Sequence, residues 1–219
     1  MKTGRLFLIS LGVCAVMVAI AFYAAAQVAP GTELPTHWNA AGEVDGTMPA
    51  LRALLFPAGM VLLLSVIFAV IPRIEPLQDR LEGSAPLLRT AWIGTVLLLV
   101  FVQLLVGAQA FGIEVEGHFM LAPVGVLLMF LGNMLPKSRP GFFVGIRTPW
   151  TIVDEDIWIA THRLGGKLMM LAGAVLVVLA FAPVGSEVRA VVTLAAVFGA
   201  ALVPVVYSWW RWDRKKRAG

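Results

Sequence analysis

The chain has 219 residues, of which 59% are hydrophobic and only 14% charged, and its mean hydropathy is +0.87. Soluble domains carry about 25% charged residues, so a soluble enzyme or binding module is excluded and an integral membrane protein is indicated. The net charge of +4 follows basic residues spread among the segments between apolar runs, not gathered in one patch, so direct nucleic-acid binding is not expected.

The first apolar run, about 6–26, follows Lys2 and Arg5. Its length of about 20 residues exceeds the 7–15 of a signal core, so it reads as a retained first span despite the small Ala24-Ala25-Ala26. Cys14 lies within it and is the sole cysteine, which rules out an intramolecular disulfide. Next comes a polar loop, 27–50, with Pro35-Thr36-His37-Trp38-Asn39 and Gly42-Glu43-Val44-Asp45-Gly46. Proline and Asp-Gly mark tight turns, with Gly46 free to take positive φ and Asp45 able to bond nearby amides, so an ordered loop is expected. His37, Glu43 and Asp45 offer a weak possibility of a divalent-metal site, although such residues more often only structure a turn.

The second run, 51–71, leads into 72–90, which mixes Arg73, Arg80 and Arg89 with Glu75, Asp79 and Glu82 and reads as a solvated connector with a short helix. Runs three and four, 91–111 and 117–135, are joined by a short hairpin near Glu114 and Glu116. Runs five and six cover 166–182 and 188–208, and Trp209-Trp210-Arg211-Trp212 with the basic residues after it reads as an interfacial anchor on anionic lipid. Runs of this length need about 20 residues of helix to cross the hydrocarbon core, and only helices bond their backbone internally in lipid at such length. The fold class is therefore all-α, a polytopic bundle of six transmembrane helices. Of 17 Lys and Arg residues, all but Arg52 and Arg189 fall on one side, so both termini are expected in the cytoplasm.

Loop four, Pro136 to Lys167, concentrates the specific chemistry. Gly145 permits a turn, and Pro149 keeps Thr148 out of helical geometry. Thr151 with Asp154 resembles a capping box that opens a short helix toward Leu164, and Gly165-Gly166 would end that helix or bend it into span five. Trp158, Thr161, His162 and Gly165 fall at i, i+3, i+4 and i+7, on one helical face. Arg147 offers a planar fork for a carboxylate or for loop carbonyls. His162 could make the surface pH-sensitive, though a hydrogen-bonded structural role is the more ordinary one. The segment either ties the loop to the bundle or forms a cytoplasmic ligand or partner site.

Two motifs make the chain resemble the SdpI family of bacterial membrane proteins. One is Pro35-x-His37-x-Asn39-x-x-Gly42-x-x-Asp45-Gly46, similar to the amino-terminal domain of unknown function found in many members. The other is Asn133, then Gly145-Ile146-Arg147-Thr148-Pro149-Trp150-Thr151, then Trp158, Thr161, His162, Gly165 and Gly166. The resemblance implies a two-helix module at 1–71 and a four-helix module at 72–219, integrated in one domain. It also implies a multi-pass protein of the bacterial cytoplasmic (inner) membrane that gives immunity to a membrane-active peptide toxin. Its implied partners are membrane lipids, a secreted toxin outside and a small repressor captured inside. The alternative is a transporter or a membrane enzyme acting on a lipid or peptide. Against it, the spans hold few polar groups beyond Gln103, Gln109 and Asn133, and no nucleophile elbow, zinc motif or P-loop occurs. No catalytic residue is assigned and no cofactor is expected.

Overall fold

The computed structural model describes residues 3–218, apart from the side chains of 78–80; Lys2 and the side chains of Asp79 and Arg80 therefore lie outside the described residues. Among the described residues, six helices are long and apolar enough to cross a membrane. They comprise α1 (Gly4–Ala25), α2 (Ala50–Ile74), α3 (Gln78–Ala110), α4 (Leu121–Met134), α6 (Glu155–Phe181) and α7 (Ser186–Ala218), with a short α5 (Pro149–Val153) ahead of α6. The fourth crossing is completed by 3₁₀ turns at Gly117–Met120 and Leu135–Lys137 on either side of α4. An even number of crossings returns both termini to one face, here called the loop-four face.

Apolar surface gains nothing by leaving lipid, so helices in a membrane associate where small residues let backbones approach. The α4–α6 pair follows this rule. A Cβ on Gly132 would lie 2.6 Å from the Gly166 carbonyl oxygen, and one on Gly125 would lie 2.5 Å from that of Gly173. Gly166 therefore neither ends nor bends a helix, because α6 runs unbroken from Glu155 into span five and uses this glycine to meet α4. Gly165 serves a similar purpose on another side, where its missing Cβ makes room for Ile146.

The first three helices are tied by side chains. Trp92 of α3 donates through Nε1 to Ser10 Oγ of α1 at 3.0 Å and to Ser65 Oγ of α2 at 3.2 Å. Gln103 Nε2 donates to the carbonyls of Met17 and Leu54 at 2.8 and 2.9 Å. These buried polar groups are spent on helix packing, where an unpaired donor in lipid would be costly.

Residues 72–90 are not a solvated connector. Helix α3 begins at Gln78 and continues into span three, with Leu81, Ser84, Leu87 and Leu88 buried. Leu87 and Leu88 pack with Leu135 and Val144, so this extension seats loop four. At the opposite face, β1 (Glu33–Trp38) and β2 (Val44–Pro49) form an antiparallel hairpin that adds a small sheet to the helical bundle. Leu34 anchors it in a cluster with Ala21, Leu54 and Val106.

Candidate functional site

Loop four is held by groups from the end of α2 and from α3, α6 and α7. At its start, Ser138 accepts from Trp158 Nε1 at 3.1 Å through its carbonyl, and Ser84 Oγ of α3 accepts from the Arg139 amide at 3.0 Å. Glu75 caps the next turn from the end of α2. Its carboxylate accepts from the amides of Phe142 and Phe143, each at 3.1 Å, and from that of Leu77. Glu75 is only 3% exposed, so these backbone donors meet its carboxylate where water has little access.

At Gly145 the loop backbone comes close against α6. Its φ is +116°, and a Cβ there would lie 2.5 Å from His162 Nε2 and 2.7 Å from Trp158 Cζ2. Only glycine satisfies both the positive φ and the contact. Beneath it the indole of Trp158 and the imidazole of His162 stack at 3.9 Å between centroids, and both residues are fully buried. His162 Nε2 accepts from the Ile146 amide and Nδ1 donates to the Trp158 carbonyl, each at 2.8 Å. Accepting at one ring nitrogen while donating at the other requires the neutral imidazole. His162 is thus a support under the loop and not a group on its surface.

The expected capping box lies three residues earlier than the spacing of Thr151 and Asp154 indicates. Thr148 is the N-cap of α5, with reciprocal bonds between its side chain and Thr151, and Pro149 takes the first helical position. Thr151 Oγ1 also donates to the Ile146 carbonyl at 3.0 Å. Asp154 is a second cap, accepting from the amides of Asp156 and Ile157 to open α6. Lys215 at the end of α7 meets the Asp154 carboxylate at 2.7 Å. Partial burial raises the Asp154 carboxyl, but the Lys215 ammonium and the two amides outweigh it and hold it below its usual 3.8. Trp150 Nε1 donates to Ser208 Oγ of α7 at 2.6 Å, and its ring stacks on Trp212.

Of the other expected residues, Arg147 is exposed and donates from Nη1 to the Phe142 carbonyl at 3.0 Å, a single bond within the loop. Asn133 is exposed on α4 and has no hydrogen-bond partner among the described residues, so it is not part of the clamp. Thr161 is fully buried, its hydroxyl without a partner among the described residues. Glu75, Ser84, Ser138 and Ser208 were not expected. Ser208, a serine at the end of an apolar span beside a tryptophan pair, carried a readable signal of a helix-to-helix bond. Glu75 reads as an ordinary loop charge.

The hairpin motif also works differently from its expected turn. Gly42, with φ +89°, takes the left-handed position, and Gly46 does not. Asn39, not Asp45, binds the local amides, accepting from Ala41 and Glu43 at 2.9 and 3.0 Å. Asp45 reaches across the strands to His37 Nδ1 at 2.5 Å, while Glu43 accepts from Asn39 Nδ2. The three potential metal ligands are thus separated into two pairs, and no three His, Cys, Asp or Glu groups converge among the described residues. Gly46 faces His37, whose Cβ would lie 3.1 Å from a Cβ added there. Gly42 packs on His118, and Gly117 on Trp38, which docks the hairpin tip on the turn before α4.

The architecture and this clamped loop define a six-helix polytopic membrane protein. Residues 137–208 match the SdpI/YfhL protein family, and residues 12–62 match a domain of unknown function, DUF1648. The chain is 26% identical over 150 residues to the immunity protein SdpI of Bacillus subtilis (strain 168), covering 68% of this chain and 70% of that protein. The chain is thus similar to SdpI-family proteins over most of its length. No solved structure matches it.

Proposed function

We propose that this protein resides in a bacterial cytoplasmic membrane with the loop-four face inward, and that it protects its cell against a membrane-active peptide toxin. We further infer that it signals by holding a small repressor on that face. One observation carries the reading: the family match at 137–208 spans the clamp from Ser138, which receives Trp158, to Ser208, which receives Trp150. The matched segment thus contains the loop and most of its contacts from α6 and α7, on the face that bears the basic residues. The likeness to an immunity protein supports the protective role. The basic asymmetry supports the inward orientation.

Repressor capture is supported by what the clamp leaves outward. Val153 is 80% exposed and Phe142 is 45% exposed, both on a short polar segment whose backbone is held from beneath. A preorganised loop offering apolar contacts beside Arg147 loses little freedom when it meets a partner. The test is deletion of the gene in its own host, followed by survival in that host's spent medium. Loss of survival, restored by the wild-type gene, is expected. A Phe142→Ser, Val153→Ser double variant should still insert and fold but lose capture of a cytoplasmic repressor in a pull-down. Unchanged survival of the deletion strain in spent medium would refute the protective role.

A further inference from the structure

Helix α4 meets α6 glycine to glycine, but it meets α3 through side chains, with Leu127 filling the space above Gly94. The looser pair leaves an open groove of about 570 Å³ between α3 and α4. Its walls are apolar, from Leu97 and Phe101 on one side to Val126 and Phe130 on the other, and its polar residues, Arg89 and Thr90, sit together at the loop-four end. Arg89 is exposed and, among the described residues, has neither an ion pair nor a hydrogen bond.

Length and charge together specify the occupant. Arg89 to Phe101 is twelve residues of helix, about 18 Å at 1.5 Å per residue. Half of a hydrocarbon core is about 15 Å. The groove therefore runs from the level of the headgroups to the middle of the bilayer, the reach of one acyl chain. A guanidinium at the headgroup level matches phosphate through its fork of N–H donors. A second copy of an apolar helix would cover the walls but leave Arg89 without a counter-charge.

We propose that this groove is a binding site for one anionic phospholipid, with its phosphate on Arg89 and Thr90 and one acyl chain along Leu97 to Phe101. The lipid fills the gap that the α3–α4 packing leaves open, and it joins the first three helices to the last three.

The probes are phosphatidylglycerol and phosphatidylcholine, each with a photoreactive diazirine on an acyl chain, and the full-length protein in nanodiscs containing one or the other. Phosphatidylglycerol should label the 93–101 and 123–130 segments about five-fold more than phosphatidylcholine, the scale set by one basic residue at an anionic surface. Arg89→Gln should abolish that preference, and Leu97→Trp, at a lipid-exposed position, should suppress groove labelling by both lipids. Arg52→Gln, in the first turn of α2 on the opposite face, should leave both unchanged. Equal groove labelling of the wild type by the two lipids overturns the proposal, as does a preference that survives Arg89→Gln. Self-crosslinking of Leu97→Cys in a Cys14→Ser background would make the groove a seam between two copies and overturn it equally.

Discussion

Replacing Gly145 by alanine separates the two demands that loop four places on this position. The first is backbone: a non-glycine residue at φ +116° sits in a sparsely populated region, at a cost of about 1–3 kcal/mol. The second is contact. The new methyl would lie 2.5 Å from His162 Nε2 and 2.7 Å from Trp158 Cζ2, and neither ring can swing aside because both are fully buried. The loop must lift, breaking the Ile146 amide bond to His162 and leaving a buried acceptor unpaired, a further loss of about 1–3 kcal/mol. Together these give about 2–6 kcal/mol, a large part of the 5–15 kcal/mol that stabilises an ordinary domain. Thermal unfolding in detergent, followed by tryptophan fluorescence, reads the effect. Two controls divide it. Gly112 has φ +73° with no atom within 4 Å of its ideal Cβ, so Gly112→Ala reports the backbone term alone. Gly185 has neither a positive φ nor a neighbour, so Gly185→Ala should fall within about 0.5 kcal/mol of wild type. The expected order of loss is 145, then 112, then 185. If Gly145→Ala unfolds together with Gly112→Ala, the contact with the Trp158–His162 stack contributes nothing and the clamp is misread.

Three further outcomes are expected. Glu75→Gln should destabilise by about 1–3 kcal/mol, because the amide has one carbonyl oxygen for several backbone donors and turns N–H groups toward the rest; an unchanged melting curve would refute its capping role. Asp154 titrates below its usual 3.8 in the folded state, so the stability it supplies is whole above that value and is lost as pH falls through the lower, folded value. Asp154→Asn keeps the cap but loses the charge, so wild type should melt higher at neutral pH, and the two curves should converge as the pH drops below 3.8; a constant gap across the titration counts against the Lys215 pairing. For orientation, in a Cys14→Ser background an impermeant thiol reagent on intact cells should label Glu43→Cys and not Val153→Cys, and the reverse pattern would invert the topology.

The spans were legible in the sequence because lipid acts on each segment separately. A run of about 20 apolar residues is driven into helix whatever its neighbours do. The face shared by Trp158, Thr161, His162 and Gly165 was legible for a similar reason, since helical periodicity depends on local spacing, and all four are buried together. Local rules failed where two local solutions compete. Thr148 and Thr151 satisfy each other as a cap, which leaves Asp154 to start a separate helix that never breaks at Gly165. In the hairpin, the cross-strand pair of His37 and Asp45 removes Asp45 from its own turn, and Asn39 takes over the backbone amides.

The sequence by itself determined a six-helix membrane protein, the position of its polar loop and the helical face beneath that loop, because each depends on residues within a few turns of one another. Only the tertiary structure decided what holds the loop. Glu75 lies 67 residues before the Phe142 amide that it receives, and Ser208 lies 58 residues after the indole that it binds. Nothing in local spacing relates such partners. They meet because α4 and α6 close against each other at glycines and α3 extends past its span, which carries the ends of α2 and α7 to the same loop.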